Sequence, residues 1–102
     1  MNQDRDDSVD RLLNAVEAFT SPLRMGDGID ESALAELKAA LVSFAAAWKG
    51  DEMIPKAATA VLAELYPAMD GSAGLYDSDY AKRIGDEAVT LYDLVSACMI
   101  SE

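Results

Sequence analysis

Apolar residues along this chain recur at steps of three and four, and no stretch sustains a period of two, so the pattern predicts helices throughout and no sheet. Val9, Leu12, Val16 and Phe19 form the first stripe, with Leu13 beside it. Asp7 or Ser8 is placed to cap that helix, and Ser21-Pro22 to end it. Leu34, Leu37, Leu41, Phe44 and Trp48 give the clearest seam, with Asp30 or Ser32 at its start and Gly50 after its end. A third helix is expected to begin near Pro55 and to carry Ile54, Ala58, Val61 and Leu65 on one face, with Leu62 adjacent. Pro67 should kink or stop it, and Asp70-Gly71-Ser72-Ala73-Gly74 reads as a loop. Asp77 or Ser78 then opens a last helix with the seam Ile84, Ala88, Leu91 and Val95, widened by Val89, Tyr92 and Met99.

Short connections between four such helices predict an all-α, antiparallel four-helix bundle in a single domain over residues 7–102, preceded by a polar segment 1–6. The order of the helices around the bundle stays open. Alanines crowd the second and third helices, which favours helix formation and close approach. At 102 residues and 51% apolar content the chain has enough material for one modest core and lies outside the disordered class.

Charge changes this picture. There are 19 acidic against 8 basic residues, for a formal net charge of −11. Such a balance repels nucleic acid and anionic lipid and attracts a basic protein. No apolar run is long enough for a membrane span, and Met1–Asp7 has neither the basic nor the apolar region of a signal peptide. A cytoplasmic location is the expectation, in keeping with one unpartnered cysteine.

The inventory also limits chemistry. Without histidine, Ser-His and Cys-His pairs are impossible, as are the Glu-x-x-His di-iron sites of four-helix bundles. Cys98, near the end of an apolar helix, reads as a small core residue. Asp77-Ser78-Asp79 resembles the opening of a calcium loop, but Lys82 and Ala88 stand where that loop needs glycine and glutamate. Gly28-Ile29-Asp30-Glu31-Ser32-Ala33-Leu34 loosely resembles the serine-bearing helix start of acyl carrier proteins. Glu31 and Ala33 depart from that pattern on both sides of Ser32. The expectation is therefore no enzyme, no cofactor and no metal.

In an up-down-up-down bundle the first and third connections share an end. That end gathers Asp27, Asp30, Glu31, Asp70, Asp77 and Asp79, with Arg24 as local counter-charge and Tyr76 and Tyr80 nearby. Asp4, Asp6, Asp7, Asp51, Glu52 and Glu102 collect at the other end. Between them, Asp79 can reach Arg83, and Lys82 can reach Asp86, four residues apart. Helix capping accounts for about one acid per helix and leaves the excess unexplained. The candidate partner-binding set is Asp70, Tyr76, Asp77, Asp79 and Tyr80, with Asp27, Asp30 and Glu31 beside them. In it the carboxylates meet lysine and arginine, and the tyrosines supply packing. Tyr92 reads as a core residue.

In size, charge and helical class the chain is similar to bacterial immunity proteins, which inhibit toxic nucleases. Glu64-Leu65-Tyr66-Pro67 resembles the acidic, tyrosine-and-proline segment that colicin nuclease immunity proteins present to their toxin, with Leu65 in place of a second tyrosine. The resemblance implies a basic nuclease as partner and inhibition as function. Two other readings are compatible with the same residues. One is a self-associating structural module, a homodimer burying the wide apolar stripe of the last helix. The other is a DNA mimic that blocks a nucleic-acid-binding protein, which would need acids spaced along the molecule.

Overall fold

Each predicted stripe becomes one helix in the structure, a computed structural model that describes residues 3–99: α1 (Gln3–Arg24), α2 (Glu31–Ala47), α3 (Lys56–Ala73) and α4 (Ser78–Met99). The chain is an all-α single domain, an antiparallel four-helix bundle in which successive helices reverse direction. Its long axis is 46 Å and its cross-section 22 × 20 Å. α1 packs on α2 and α3, and α4 packs on the same two helices, so α1 and α4 lie across a diagonal. The order around the bundle is therefore α1–α2–α4–α3. α2 and α4 run side by side in the same sense, because Glu31 meets Arg83, Lys38 meets Glu87 and Leu41 meets Cys98.

The core consists of the expected seams with small shifts. Phe19, Leu23, Leu37, Leu41 and Phe44 are fully enclosed, as are Leu12 and Ala58. Each large side chain of this kind contributes roughly 1.5–3 kcal/mol through burial. On α3 the buried line is Ala58, Leu62, Leu65, Met69 and Ser72, so Leu62 rather than Val61 faces inward. Val95 is half-buried, and Cys98 takes the last core place on α4. Val89, Tyr92 and Met99 do not widen the core. All three are exposed, which corrects the reading of Tyr92 as a core residue.

The helix ends differ most from expectation. α1 starts at Gln3, ahead of the Asp7–Ser8 caps, so residues 3–6 of the expected polar segment are helical. Ser8 is buried; its hydroxyl donates to the Arg5 carbonyl (2.7 Å) and accepts from the Trp48 indole (3.2 Å). Pro22 does not end α1. Leu23 continues the stripe with no exposure, and the helix stops in a Schellman turn at Gly26 (φ +80°). There the Gly26 amide donates to Leu23 O (3.3 Å) and the Asp27 amide to Pro22 O (2.9 Å). Pro67 does not end α3 either. Residues 70–73, expected in a loop, form its last turn because Met69 and Ser72 extend the buried line. Asp30 caps α2 as expected, accepting from the Ala33 amide at 3.0 Å.

At the end away from residues 25–30, Arg5 donates to Ala47 O (3.0 Å), one of the last carbonyls of α2, and pairs with Asp51. Its guanidinium also lies 4.6 Å from the centre of the Trp48 ring. Gln3 donates to Asp7. Glu102, expected among these acids, lies outside the described residues.

Cys98 is buried and donates to Leu41 O at 3.4 Å, and burial pushes its thiol up to about 11. A thiol this protonated and shielded is a poor nucleophile. A colourless aromatic disulfide reagent at pH 8 should therefore leave native Cys98 unmodified for hours and titrate one thiol at once in denaturant. Fast reaction of the native protein would contradict the placement of Cys98 in the core.

Candidate functional site: the acidic pole

The first and third connections meet at one end of the bundle, as alternating helix direction requires, and two tyrosines join them. Asp77 sits just before α4, and its carboxylate accepts from the Tyr80 amide at 2.9 Å, setting the start of that helix. Tyr76 and Tyr80 thereby fall four residues apart, and their rings stack at 4.9 Å between centroids. Both hydroxyls reach across to the α1–α2 connection. That of Tyr76 donates to Leu23 O (2.8 Å) and accepts from the Gly28 amide (2.9 Å). That of Tyr80 accepts from the Ile29 amide (2.6 Å). Gly28 permits this approach. Its φ is +90°, and a Cβ there would stand 2.9 Å from the Tyr80 hydroxyl oxygen.

Tyr76 and Tyr80 are half-buried, with their polar atoms engaged inside the protein. Their hydroxyls tie the two connections together and fix the relative placement of the two loops. The apolar surface at this pole comes from two residues that the sequence did not single out. Met25 is 73% exposed just after α1, and Leu75 is 59% exposed beside Tyr76. A breakdown of the heptad-like spacing at both positions was the available signal: each falls outside every helical stripe.

The acids divide into two groups. Glu31 is held in a two-pronged pair by Arg83 (2.6 and 2.8 Å), and that contact lowers its carboxyl below the ordinary range while raising the guanidinium. Arg83 therefore goes to Glu31 and approaches Glu87 at 3.9 Å, instead of reaching Asp79. Asp27, Asp30, Asp70, Asp77 and Asp79 are exposed and have no ion pair among the described residues. Arg24, the expected counter-charge, points back along α1 to Thr20 (3.3 Å) and Glu17 (3.8 Å). Lys82 does lie near Asp86, at 4.0 Å. Arg11 is bound to Glu36, which likewise raises the guanidinium and lowers the carboxyl. Arg11, Arg24, Lys38, Lys82 and Arg83 thus pair with acids of the helices and leave these five carboxylates without an ion pair among the described residues.

Ser32 lies in the first turn of α2, beside the Asp30 cap. Glu64, Tyr66 and Pro67 lie on the surface of α3, and Leu65 is buried beneath them. Among the described residues no group of three or more acidic or cysteine side chains is placed to hold a metal ion, and no helix is long and apolar enough to cross a membrane. No protein-family model matches this chain, and no curated protein or solved structure is significantly similar to it.

Proposed function

We propose that this domain is a non-enzymatic inhibitor that neutralises a basic protein with its acidic pole, and that the partner is a toxin nuclease. The observation that carries the reading is that one end of the bundle holds five exposed carboxylates with no ion pair among the described residues, together with the exposed Met25 and Leu75, on a frame fixed by the tyrosine hydroxyls. Protein interfaces combine exposed apolar side chains with charged and polar ones. A nuclease must hold phosphate, so its active site is basic. An acidic pole is steered to such a site and covers it. Asp27, Asp30, Asp70, Asp77 and Asp79 meet lysine and arginine; Met25 and Leu75 make the packing contacts. Tyr76, Tyr80 and Glu31 hold the frame.

The test uses the native chain and a variant with Asp27, Asp70, Asp77 and Asp79 all changed to asparagine, as parallel baits in host lysate at low and high salt. A basic protein retained by the native chain alone, released by salt, and inhibited by the native chain in a nuclease assay is the expected result. Equal retention by both baits, or retention without inhibition, overturns the proposal.

A further inference from the structure

Half of the large apolar side chains exposed among the described residues share one face, that of α3 and α4. They are Tyr66, Val89, Tyr92 and Met99. On α4 the exposed line is Gly85, Val89, Tyr92 and Met99, and the half-buried Ser96 completes its steps of four and three. On α3 the line Lys56, Ala60, Ala63, Pro67 and Asp70 has the same steps and is exposed throughout. Asp86 and Asp93 each follow a residue of the α4 line by one helical step of about 100°, so they turn off this face. Between the two lines runs a groove of about 200 Å³ whose lining is wholly uncharged, with Tyr66 and Tyr92 on opposite sides of it. These four large side chains, together with the small residues between them, offer roughly 600 Å² per chain, the lower limit for a stable interface between two copies. Exposed apolar patches of this extent mark interaction sites.

The symmetry of the face identifies its occupant. α3 and α4 are antiparallel; Ala63 and Tyr92 line one hollow, and Asp70 and Gly85 line the next. Ala63 is thus level with Tyr92. Seven residues to one side Asp70 is level with Gly85, and seven to the other Lys56 is level with Met99. A two-fold axis between two copies, running across the helices at the level of Ala63 and Tyr92, therefore sets each line against its own reverse. On α4, Met99 meets Gly85 of the second copy, where nothing lies within 4 Å of a would-be Cβ, so a long side chain meets an open site. On α3, Ala63 meets its own copy, and the small residues beside it let the helices approach closely. Lys56 meets Asp70 of the second copy, and the axis makes that pair twice. Neither Lys56 nor Asp70 has an ion pair among the described residues. Asp70 is the corner where this face adjoins the acidic pole, and the pairing leaves Asp27, Asp30, Asp77 and Asp79 free for the pole. The reversed orientation also places the two acidic poles at opposite ends of a bundle 46 Å long, far beyond the Debye length of about 8 Å. We infer that the α3–α4 face is a docking surface for a second copy of this chain, packed antiparallel about Ala63 and Tyr92. The inference does not rest on the partner proposed for the pole.

Sedimentation equilibrium of the native chain at about 100 µM, in about 0.15 M salt, should give twice the chain mass. Lys56→Asp sets two acids together at both ends of the α3 pairing and should weaken the dimer at least about tenfold. Adding Asp70→Lys to that variant restores the pair in exchanged form and should return the affinity to within about threefold of native. Both changes suit the dipole of α3, an acid in its first turn and a base toward its end, and native helicity confirms the fold. Ala63→Cys should link two chains under mild oxidation, because the axis brings the two thiols together, while Ala39→Cys on the exposed side of α2 should not. Asp77→Asn with Asp79→Asn at the pole should leave the dimer within about twofold. A native monomer at this concentration, no loss in Lys56→Asp, no recovery in the exchanged pair, or equal linking through the two cysteine variants overturns the inference. None of these readouts needs a partner of the pole, so failure here and failure of the inhibitor reading are distinguishable.

Discussion

Gly28→Ala is expected to destabilise the bundle by about 2–4 kcal/mol, with a fall in Tm of roughly 10–20 °C. Two costs combine at this position. The first is backbone strain, because φ is +90° and a Cβ disfavours that region. The second is the clash at 2.9 Å with the Tyr80 hydroxyl, which is itself 2.6 Å from the Ile29 amide. Relief by moving Tyr80 breaks that hydrogen bond and disturbs its stack with Tyr76. Gly50 provides the control. Its φ is +88°, but nothing lies within 4 Å of its would-be Cβ, so Gly50→Ala carries strain alone, about 1–2 kcal/mol. Urea unfolding of the two variants separates the terms. Equal losses would show that the tyrosine contact contributes nothing. In a Tyr80→Phe background the excess cost of Gly28→Ala should shrink, because the obstructing oxygen is gone.

The second large effect is kinetic. Asp77→Asn with Asp79→Asn should slow association with the captured basic partner about tenfold at low salt and flatten the salt dependence of the rate. Asparagine at position 77 can still accept from the Tyr80 amide, so the cap survives and stability should stay within roughly 0.5 kcal/mol. Stopped-flow association at several ionic strengths measures both quantities. Unchanged rates and slopes would remove these two carboxylates from the binding surface. A lost fold would show instead as reduced helicity, so the two outcomes are distinguishable.

The helices were legible because burial on one side of a helix imposes a period that single residues rarely disguise. Their ends were less so. Pro22 and Pro67 are strong local breakers, but each lacks only one N–H, and Leu23 in α1 and Met69 in α3 gain full burial by continuing the helix. The line Leu62, Leu65, Met69 and Ser72 was present in the sequence and outranks the turn-forming residues around it. The position of the acids at one end followed from alternating helix direction alone. The roles of the tyrosines did not. Tyr76 lies in a connection, yet it is half-buried because its hydroxyl satisfies two backbone groups 48 and 53 residues away in sequence. Tyr92 lies in a helix next to Leu91 and is exposed, because the 100° step between neighbours turns it off the core face. Pairing choices among charges, such as Arg83 with Glu31, depend on which helices are neighbours, and the order α1–α2–α4–α3 is a tertiary fact.

That order means that the acidic pole is shared between two halves of the chain. Residues 25–30 belong to the α1–α2 hairpin and residues 74–77 to the α3–α4 hairpin, and the tyrosine hydroxyls are the joint between them. Neither hairpin presents the whole surface. A partner of the pole therefore recognises only chains whose halves have docked. By mass action, a partner at a thousandfold excess over its Kd adds about 4 kcal/mol to the native state. For a domain of this size that is on the order of the whole margin against unfolding. On the proposed reading, the domain is longest-lived when its target is present, and its lifetime becomes a gauge of how much target there is to inhibit.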